Sequence, residues 1–305
     1  MATHRLPSPR LLPHLPVLER SPTELQIGVD DGIVVPAASP VHEALRRFDG
    51  THPLPEIAAG SGLSVAQVRH LARQLQAAGL LATPPARRRP RIRLLGAGLL
   101  GRAFAEAYAA SPPGSLQIVD PSPPPPDLYA PSLPTAADTL RAHLRAGGFG
   151  EVSTASHWYR PEGPAPDLTV IAFDRLECDR AITDTLLRAD QPHLVLRPQP
   201  HGVVVGPLVV PGRTCCTRCM DLVRARDRAW PRLLAQLCLV DCPPPPELVG
   251  WTVATALLQV RAWLDGREPE TLGATLEIRA GGWTVTQRHW PHHPECGCGE
   301  VRETG

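Results

Sequence analysis

The chain has 305 residues, more than a single domain usually contains, so we expect two domains with separate cores. A formal net charge of +1, with 43% hydrophobic and 20% charged residues, is typical of a globular protein and excludes a bulk attraction to nucleic acid or anionic membranes. The sequence has no apolar run of about 20 residues and no signal-peptide pattern. We therefore expect a cytoplasmic protein without a membrane partner.

Residues 1–83 begin with three short strand patterns, at 17–20, 25–29 and 33–35. Asp31-Gly32 is a turn dipeptide, and Pro36 ends the third strand. Such a strand offers an edge to which another chain can add.

Three helices are predicted next. Ser39 is a candidate N-cap for the first, Gly60 closes the second, and the pair Ser64 and Gln67 forms a capping box for the third, which ends at Gly79. The order predicts a winged helix-turn-helix whose sheet comes first.

Residues 84–91, rich in proline and arginine, read as a linker before a second domain at 92–305. In that domain, strand patterns at 92–95, 116–119, 167–173 and 193–197 alternate with helical stretches at 102–110 and 179–189. Such alternation predicts an α/β fold with a mainly parallel sheet. A helix over 248–264 and a hairpin over 274–289 follow.

Two tight cysteine pairs lie far apart in the chain: Cys216 with Cys219, and Cys296 with Cys298. Closely spaced cysteines on turns can direct their sulfurs at one ion, so the pairs predict a tetrahedral zinc site. A filled four-thiolate shell leaves no position for water, which makes the zinc structural. Free buried cysteines and a redox pair are the alternatives, and Cys215, Cys238 and Cys242 are competing ligands.

A glycine motif, Gly96-x-Gly98-x-x-Gly101, lies between a predicted strand and a predicted helix, and Asp120 ends the next strand. The spacing is typical of a Rossmann-like turn with a nucleotide site, although the same glycines also serve helix packing alone. The chain contains no lysine, so its 31 basic residues are all arginine. High genomic GC content would produce this bias by itself, but part of the usual cationic machinery for adenylation is absent either way.

Residues 1–83 contain seven arginines and seven acidic residues. A DNA-binding domain needs a basic footprint, so a DNA-binding regulator is disfavoured. Peptide addition to the strand Ile33, Val34 and Val35 fits better, with a purely structural strand as the alternative.

Taken together, these segments resemble a known family. Pro16-Val17-Leu18, Leu25-Gln26-Ile27-Gly28 and Ala78-Gly79-Leu80-Leu81 look like the winged-helix module that recognises leader peptides of ribosomally made natural products. The glycine motif, Pro211-Gly212-Arg213 and the cysteine pairs look like a divergent ThiF-type domain. The combination is similar to the ocin-ThiF-like leader-binding proteins of azole-modified peptide and thiopeptide biosynthesis.

The resemblance implies a non-catalytic scaffold that uses no ATP. It would bind a precursor's leader and present the core peptide to a YcaO-family cyclodehydratase, which forms azolines on Cys, Ser or Thr. Carried over by position, the leader would pair with residues 33–35 and pack on the third helix near Val65, Val68, Arg69 and Ala72. Gly96, Gly98, Gly101 and Asp120 would be a vestigial nucleotide site. A homodimer is a family-level expectation, and an active ThiF-type adenylating enzyme is the main alternative.

Overall fold

The computed structural model describes residues 8–30, 32–82, 89–112, 114–125, 133–160, 162–282 and 284–299. The chain divides into two units, 1–87 and 88–305. The predicted linker, 84–91, falls largely outside the described residues. Its last residue, Arg91, instead begins the first strand of the second unit.

The first unit begins with a three-stranded antiparallel sheet in the order β1-β2-β3. The strands are β1 (Val17–Ser21), β2 (Glu24–Ile27) and β3 (Ile33–Pro36). Their places match the sequence patterns. Within the described residues β3 pairs only with β2, so its other edge is unpaired.

Three helices follow: α1 (Ser39–Arg46), α2 (Leu54–Ser61) and α3 (Val65–Ala77). The capping box of α3 is present as predicted, with Ser64 and Gln67 each accepting a backbone N–H from the other. Two predicted boundaries are wrong. Ala38, not Ser39, is the N-cap of α1, because Pro40 fits just inside the helix start. The second helix continues past Gly60 to Gly62, which has the left-handed φ of +77° that favours glycine.

The second unit alternates strands and helices. Its strands are β4 (Arg91–Leu95), β5 (Ser115–Val119), β6 (Val152–Thr154), β7 (Leu168–Ile171), β8 (His193–Gln199), β9 (Gly202–Val209), β10 (Ala274–Arg279) and β11 (Thr286–His289). Its helices are α4 (Leu99–Ala110), α5 (Ala136–Ala146), α6 (Arg180–Arg188), α7 (Thr217–Arg224), α8 (Trp230–Leu237) and α9 (Pro246–Leu264).

These strands form one sheet in the order β11-β10-β9-β8-β7-β4-β5-β6. The five strands from β8 to β6 are parallel, and β9, β10 and β11 add to them in antiparallel fashion. From β4 the chain moves outward on one side to β5 and β6, and then returns to β7 and β8 on the other side. This reversal makes the carboxyl ends of β4 and β7 a topological switch point, where open α/β sheets bind ligands.

Both faces of the parallel strands are buried. Neighbouring residues of a strand point to opposite faces of the sheet, so they pack in different clusters. Leu94 packs in the core formed with α4 and α9, which includes Phe104 and Val260. Leu95 packs on the opposite face in the cluster that contains Ile182 of α6. None of the helices in the described part of the chain is long and apolar enough to cross a lipid bilayer.

Candidate functional site

The structure brings together the four cysteines that the sequence singled out. Cys216 is the N-cap of α7 and Cys219 lies in its first turn, whereas Cys296 and Cys298 follow β11 on a turn in which Gly297 has a φ of +69°. The Sγ atoms of Cys216 and Cys296 are 3.5 Å apart, and those of Cys219 and Cys298 are 3.3 Å apart. All four lie within 4.8 Å of one another.

This spacing fits a tetrahedral ion. Four sulfurs bound at about 2.3 Å around one zinc ion lie about 3.8 Å apart, close to the 4.0 Å between Cys216 Sγ and Cys219 Sγ. The backbone N–H of His293 donates to Cys219 Sγ at 3.3 Å, which is the kind of outer contact that orients a thiolate ligand. The donor set and its surroundings therefore suit a divalent ion such as zinc.

The thiols differ in acidity. Burial raises the pKa of Cys298 to about 12. Burial acts on Cys219 in the same direction, but hydrogen bonds from the His293 and Cys216 backbone N–H groups lower its pKa below the ordinary value. Four thiolates so close together repel one another, and a bound cation is what removes that repulsion.

The competing cysteines lie outside this group of four. The thiol of Cys215 is 3.7 Å from the carbonyl oxygen of Gly273, and that of Cys238 is 3.3 Å from the carbonyl oxygen of Cys178. His292 approaches the cluster, with Nδ1 3.6 Å from Cys298 Sγ. Among the described residues, the only metal-binding group found is the predicted four.

The predicted glycine motif forms a tight turn between β4 and α4. Gly96 has a φ of +102°, and a Cβ there would lie 2.6 Å from the carbonyl oxygen of Ala172. A Cβ at Gly101 would overlap the carbonyl oxygen of Gly96, so this glycine lets α4 approach the strand. A Cβ at Gly98 would overlap a carboxylate oxygen of Asp174. The turn thus needs all three glycines for its own packing.

Two carboxylates hold this turn. Asp120, at the end of β5, accepts the N–H of Ala97 at 2.7 Å, as well as the N–H of Ser122. Asp174, just past β7, accepts the N–H groups of Leu99 and Leu100 and so caps the N-terminus of α4. Both acids lie at the switch point of the sheet.

Sequence reasoning found Asp120 and missed Asp174. The available signal was its position directly after the predicted strand 167–173. Burial raises the pKa of Asp174 above its ordinary value, the two backbone hydrogen bonds oppose this, and the negative charges of Asp120 and Asp241 raise it further. Burial and the two neighbouring negative charges therefore both disfavour the ionised form of Asp174.

The residues predicted to contact a leader peptide differ in how far they are exposed to solvent. In β3, Val34 is 41% exposed and Ile33 is partly exposed, whereas Val35 is buried. In α3, Arg69 is exposed and Val65 is half-buried. Val68 and Ala72 lie in the core of the unit. The parts of the predicted site that a partner can reach are therefore the outer edge of β3 and the exposed positions of α3.

No protein-family model matches the chain, and no curated protein is detectably similar to it in sequence. Solved structures that it resembles are of a biosynthetic enzyme and of a heterocyclase. The enzyme is MccB of E. coli, determined with ATP (13% identity, 96% of this chain and 99% of that chain, TM-score 0.65). The microcin C7 biosynthetic enzyme MccB in complex with N-formylated MccA matches at 14% identity, over 96% and 99% of the two chains, with a TM-score of 0.66.

The structure of a heterocyclase in complex with substrate and cofactor matches at 13% identity, over 96% of this chain but 39% of that one, with a TM-score of 0.58. At these identities the likeness establishes the fold. The alignments with MccB cover both units of this chain and nearly all of MccB.

The prediction that this chain is not an enzyme is wrong, because its whole length resembles a biosynthetic enzyme whose structure was determined with ATP. The expectation that it uses no ATP loses its support for the same reason. The absence of lysine was counted as evidence against adenylation, although arginines near the glycine motif, Arg91, Arg93 and Arg102, can substitute for it. The guanidinium group of arginine carries the same charge and binds phosphate oxygens with two donors.

Proposed function

We propose that this chain is a ThiF-type, ATP-dependent adenylating enzyme that activates a carboxylate of a ribosomally made peptide. The observation that carries the proposal is the likeness to MccB along nearly the entire length of both chains, because MccB was solved both with ATP and with the peptide MccA. The resemblance of the second unit to ThiF-type domains supports the same conclusion.

The nucleotide would bind at the carboxyl ends of β4, β5 and β7. This is the switch point of the sheet, where open α/β sheets bind their ligands. Asp120 lies where an acid of this fold accepts a ribose hydroxyl. Asp174 would supply an oxygen donor to Mg²⁺, a cation that binds carboxylates and phosphates and neutralises developing charge.

The reaction exchanges one phosphorus–oxygen bond for another. A carboxylate oxygen of the peptide attacks the α-phosphorus of ATP, and the bond from that phosphorus to the bridging oxygen of pyrophosphate breaks. The products are an acyl adenylate and pyrophosphate. Positive charge beside the leaving group would come from arginines such as Arg175, which follows Asp174 and lies 3.3 Å from Asp241.

The first unit would bind the leader of the peptide at the outer edge of β3. The N–H of Ala37 donates to the carbonyl oxygen of Thr23, at a position in register with the β2–β3 ladder. Because antiparallel ladders alternate, the N–H groups of Val35 and Ile33 point toward β2 and that of Val34 points away from it. Pro36, which has no N–H to offer, occupies the next outward position. Val34 therefore presents a backbone donor and its carbonyl oxygen to an added strand.

The test is pyrophosphate exchange into ATP by the purified chain, with precursor peptides encoded next to its gene as substrates. We expect exchange that depends on a peptide, and a loss of about 100-fold or more in Asp174→Asn. The matched control is Asp190→Asn, at the opposite edge of the sheet, where a φ of +50° suits asparagine equally well. Circular dichroism at the assay temperature shows whether Asp174→Asn is folded. No exchange with any peptide, or equal rates in folded Asp174→Asn, would contradict the proposal.

The heterocyclase supports a second candidate. This chain corresponds to only 39% of that protein, so a heterocyclase reaction would need a separate partner for the rest. A YcaO-family cyclodehydratase is the class of partner that would fit. Loss of water from the peptide only when such a partner is added, without pyrophosphate exchange by this chain alone, would favour the second candidate.

A further inference from the structure

Two cysteines outside the group of four lie on segments that run side by side in the second unit. Cys178 ends the segment 174–178, which lies just past β7, and Cys238 begins the segment 238–242, which follows α8. Both are free thiols, and neither belongs to the candidate metal site. The two residues are therefore available for chemistry of their own.

The two segments pair as antiparallel strands. Arg175 and Asp241 form a bridge, and the N–H of Leu176 donates to the carbonyl oxygen of Val240 at 3.2 Å. This register places the two cysteines opposite each other. Opposite residues of antiparallel strands have Cα atoms about 4.5–5.5 Å apart, and a disulfide spans about 4.4–6.8 Å between Cα atoms. The backbone thus brings the cysteines within the range of a disulfide.

The side chains also approach each other. Cys238 Sγ is 3.3 Å from the carbonyl oxygen of Cys178, and a guanidinium N–H of Arg180 donates to Cys178 Sγ at 3.4 Å. Burial raises the pKa of Cys178 to about 11 and also raises that of Cys238, while the charge of Arg180 opposes the rise at both thiols. Cys178 is 5% exposed and Cys238 is half-buried, so an oxidant reaches Cys238 first.

The helix that a disulfide would hold is loosely packed. None of the residues of α8 is buried, and Leu239 and Val240, just after it, are 75% and 45% exposed. Elements with few buried contacts open locally at low cost in free energy. On the other side of the pairing, the carbonyl oxygen of Asp174 accepts the N–H of Cys242 at 2.8 Å. A covalent link would therefore join a weakly held helix end to the segment that carries Asp174.

We propose that Cys178 and Cys238 form a reversible disulfide that holds the end of α8 against the segment after β7. A small-molecule disulfide is the oxidant. The thiolate of Cys238 attacks one of its sulfurs and releases a first thiol, and the sulfur of Cys178 then attacks Cys238 Sγ and releases a second. The chain loses two protons and two electrons, and the oxidant becomes two thiols. The inference does not depend on the proposed adenylating function.

The test is oxidation of the full-length chain by oxidised glutathione, followed by alkylation of the remaining thiols and tryptic peptide mapping. Trypsin separates the two cysteines, because Arg180 and Arg232 lie between them. We expect a disulfide-linked pair of peptides that contain Cys178 and Cys238, and its release by dithiothreitol. Cys238→Ser should abolish this pair. Cys242→Ser, which removes the other thiol of the same tryptic peptide, is the matched control and should keep it.

A thermal melt tests whether the link holds the structure. The linked residues are 60 positions apart, and closing a loop of that length should raise the Tm of the oxidised wild-type chain by about 5 °C or more over the reduced chain. Oxidised Cys238→Ser should show no rise. Three results would overturn the inference: glutathione attached to Cys238 without a linked pair, a linked pair that persists in Cys238→Ser, or a linked wild-type chain with an unchanged Tm.

Discussion

The two units of the chain are built on different physical principles. Among the described residues of the first unit, the buried side chains are apolar except for Ser61. The second unit buries charged and titratable groups, including Asp120, Glu177, Arg197 and His193. It also holds the four clustered cysteines.

Burial of charge is costly unless each charge has a partner, and enzymes accept this cost where chemistry needs strong local fields. The first unit is therefore suited to binding a peptide through its backbone groups. The second is suited to binding metal ions and anionic ligands. This division predicts that loss of a metal ion and acidification destabilise the second unit. A change at the edge of one strand should affect only the first unit.

Loss of a metal ion from the cluster of four cysteines should have the largest effect on stability. Cys296→Ser removes one of four thiolates, and we expect the zinc content to fall together with a decrease in Tm of about 10 °C or more, since structural zinc contributes several kcal/mol to folding. Elemental analysis and calorimetry measure the two quantities, and hydrogen exchange should place the loss in residues 88–305. Cys242→Ser, outside the cluster, is the matched control.

A wild-type chain that carries no metal, or a Cys296→Ser chain as stable as Cys242→Ser, would remove the zinc site from this picture. Equal loss of hydrogen-exchange protection in both units would instead mean that their stabilities are coupled.

Acidification should have the second-largest effect on stability. His193 is buried, and burial lowers its pKa to about 4, against an ordinary 6.5, although its hydrogen bond to Gln191 acts in the opposite direction. The folded state favours the neutral ring, so its contribution to stability is complete above pH 6.5 and is lost as the pH falls from 6.5 to 4. The loss is at most about 3 kcal/mol.

Urea unfolding at pH 7 and pH 4 measures this loss for the second unit. His193→Gln should reduce the difference between the two pH values. His70→Gln, on α3 of the first unit, should leave it as it is in the wild-type chain. A pH dependence that is the same in His193→Gln as in the wild-type chain would show that another group is responsible.

The smallest effect concerns the edge of β3. Val34→Pro removes the outward N–H but leaves the inward donors to β2, so a leader peptide that binds the wild-type chain should bind about tenfold more weakly while the Tm changes little. Val34→Ala keeps the N–H and is the control. Calorimetric titration measures both, and equal affinity in Val34→Pro and Val34→Ala would exclude strand addition at this position.

The sequence predicted best those features that depend on local spacing. The capping box at Ser64 needs only two side chains one helical turn apart, and each cysteine pair needs only a turn. The strand β9 escaped the sequence patterns because Gly206 and Pro207 interrupt its apolar run, and a proline argues against a central strand.

The acidic and basic groups of the second unit were harder to predict for another reason. Glu177 meets Arg197 and Arg224 only after β7, β8 and α7 have come together, and these residues lie 20 and 47 positions further along the chain. Nothing in the sequence near Glu177 indicates these partners. The non-catalytic function was inferred from the family resemblance, with the absence of lysine as support, and composition does not specify the positions of the arginines.

The order of the cysteines along the chain also has a consequence during synthesis. Cys216 and Cys219 leave the ribosome well before Cys296 and Cys298, which follow β11. At about 5–20 residues per second the first pair waits for several seconds. A metal ion that binds all four thiolates would therefore complete its shell only after all strands of the large sheet have been translated, and its capture would mark the point at which the whole sheet can assemble.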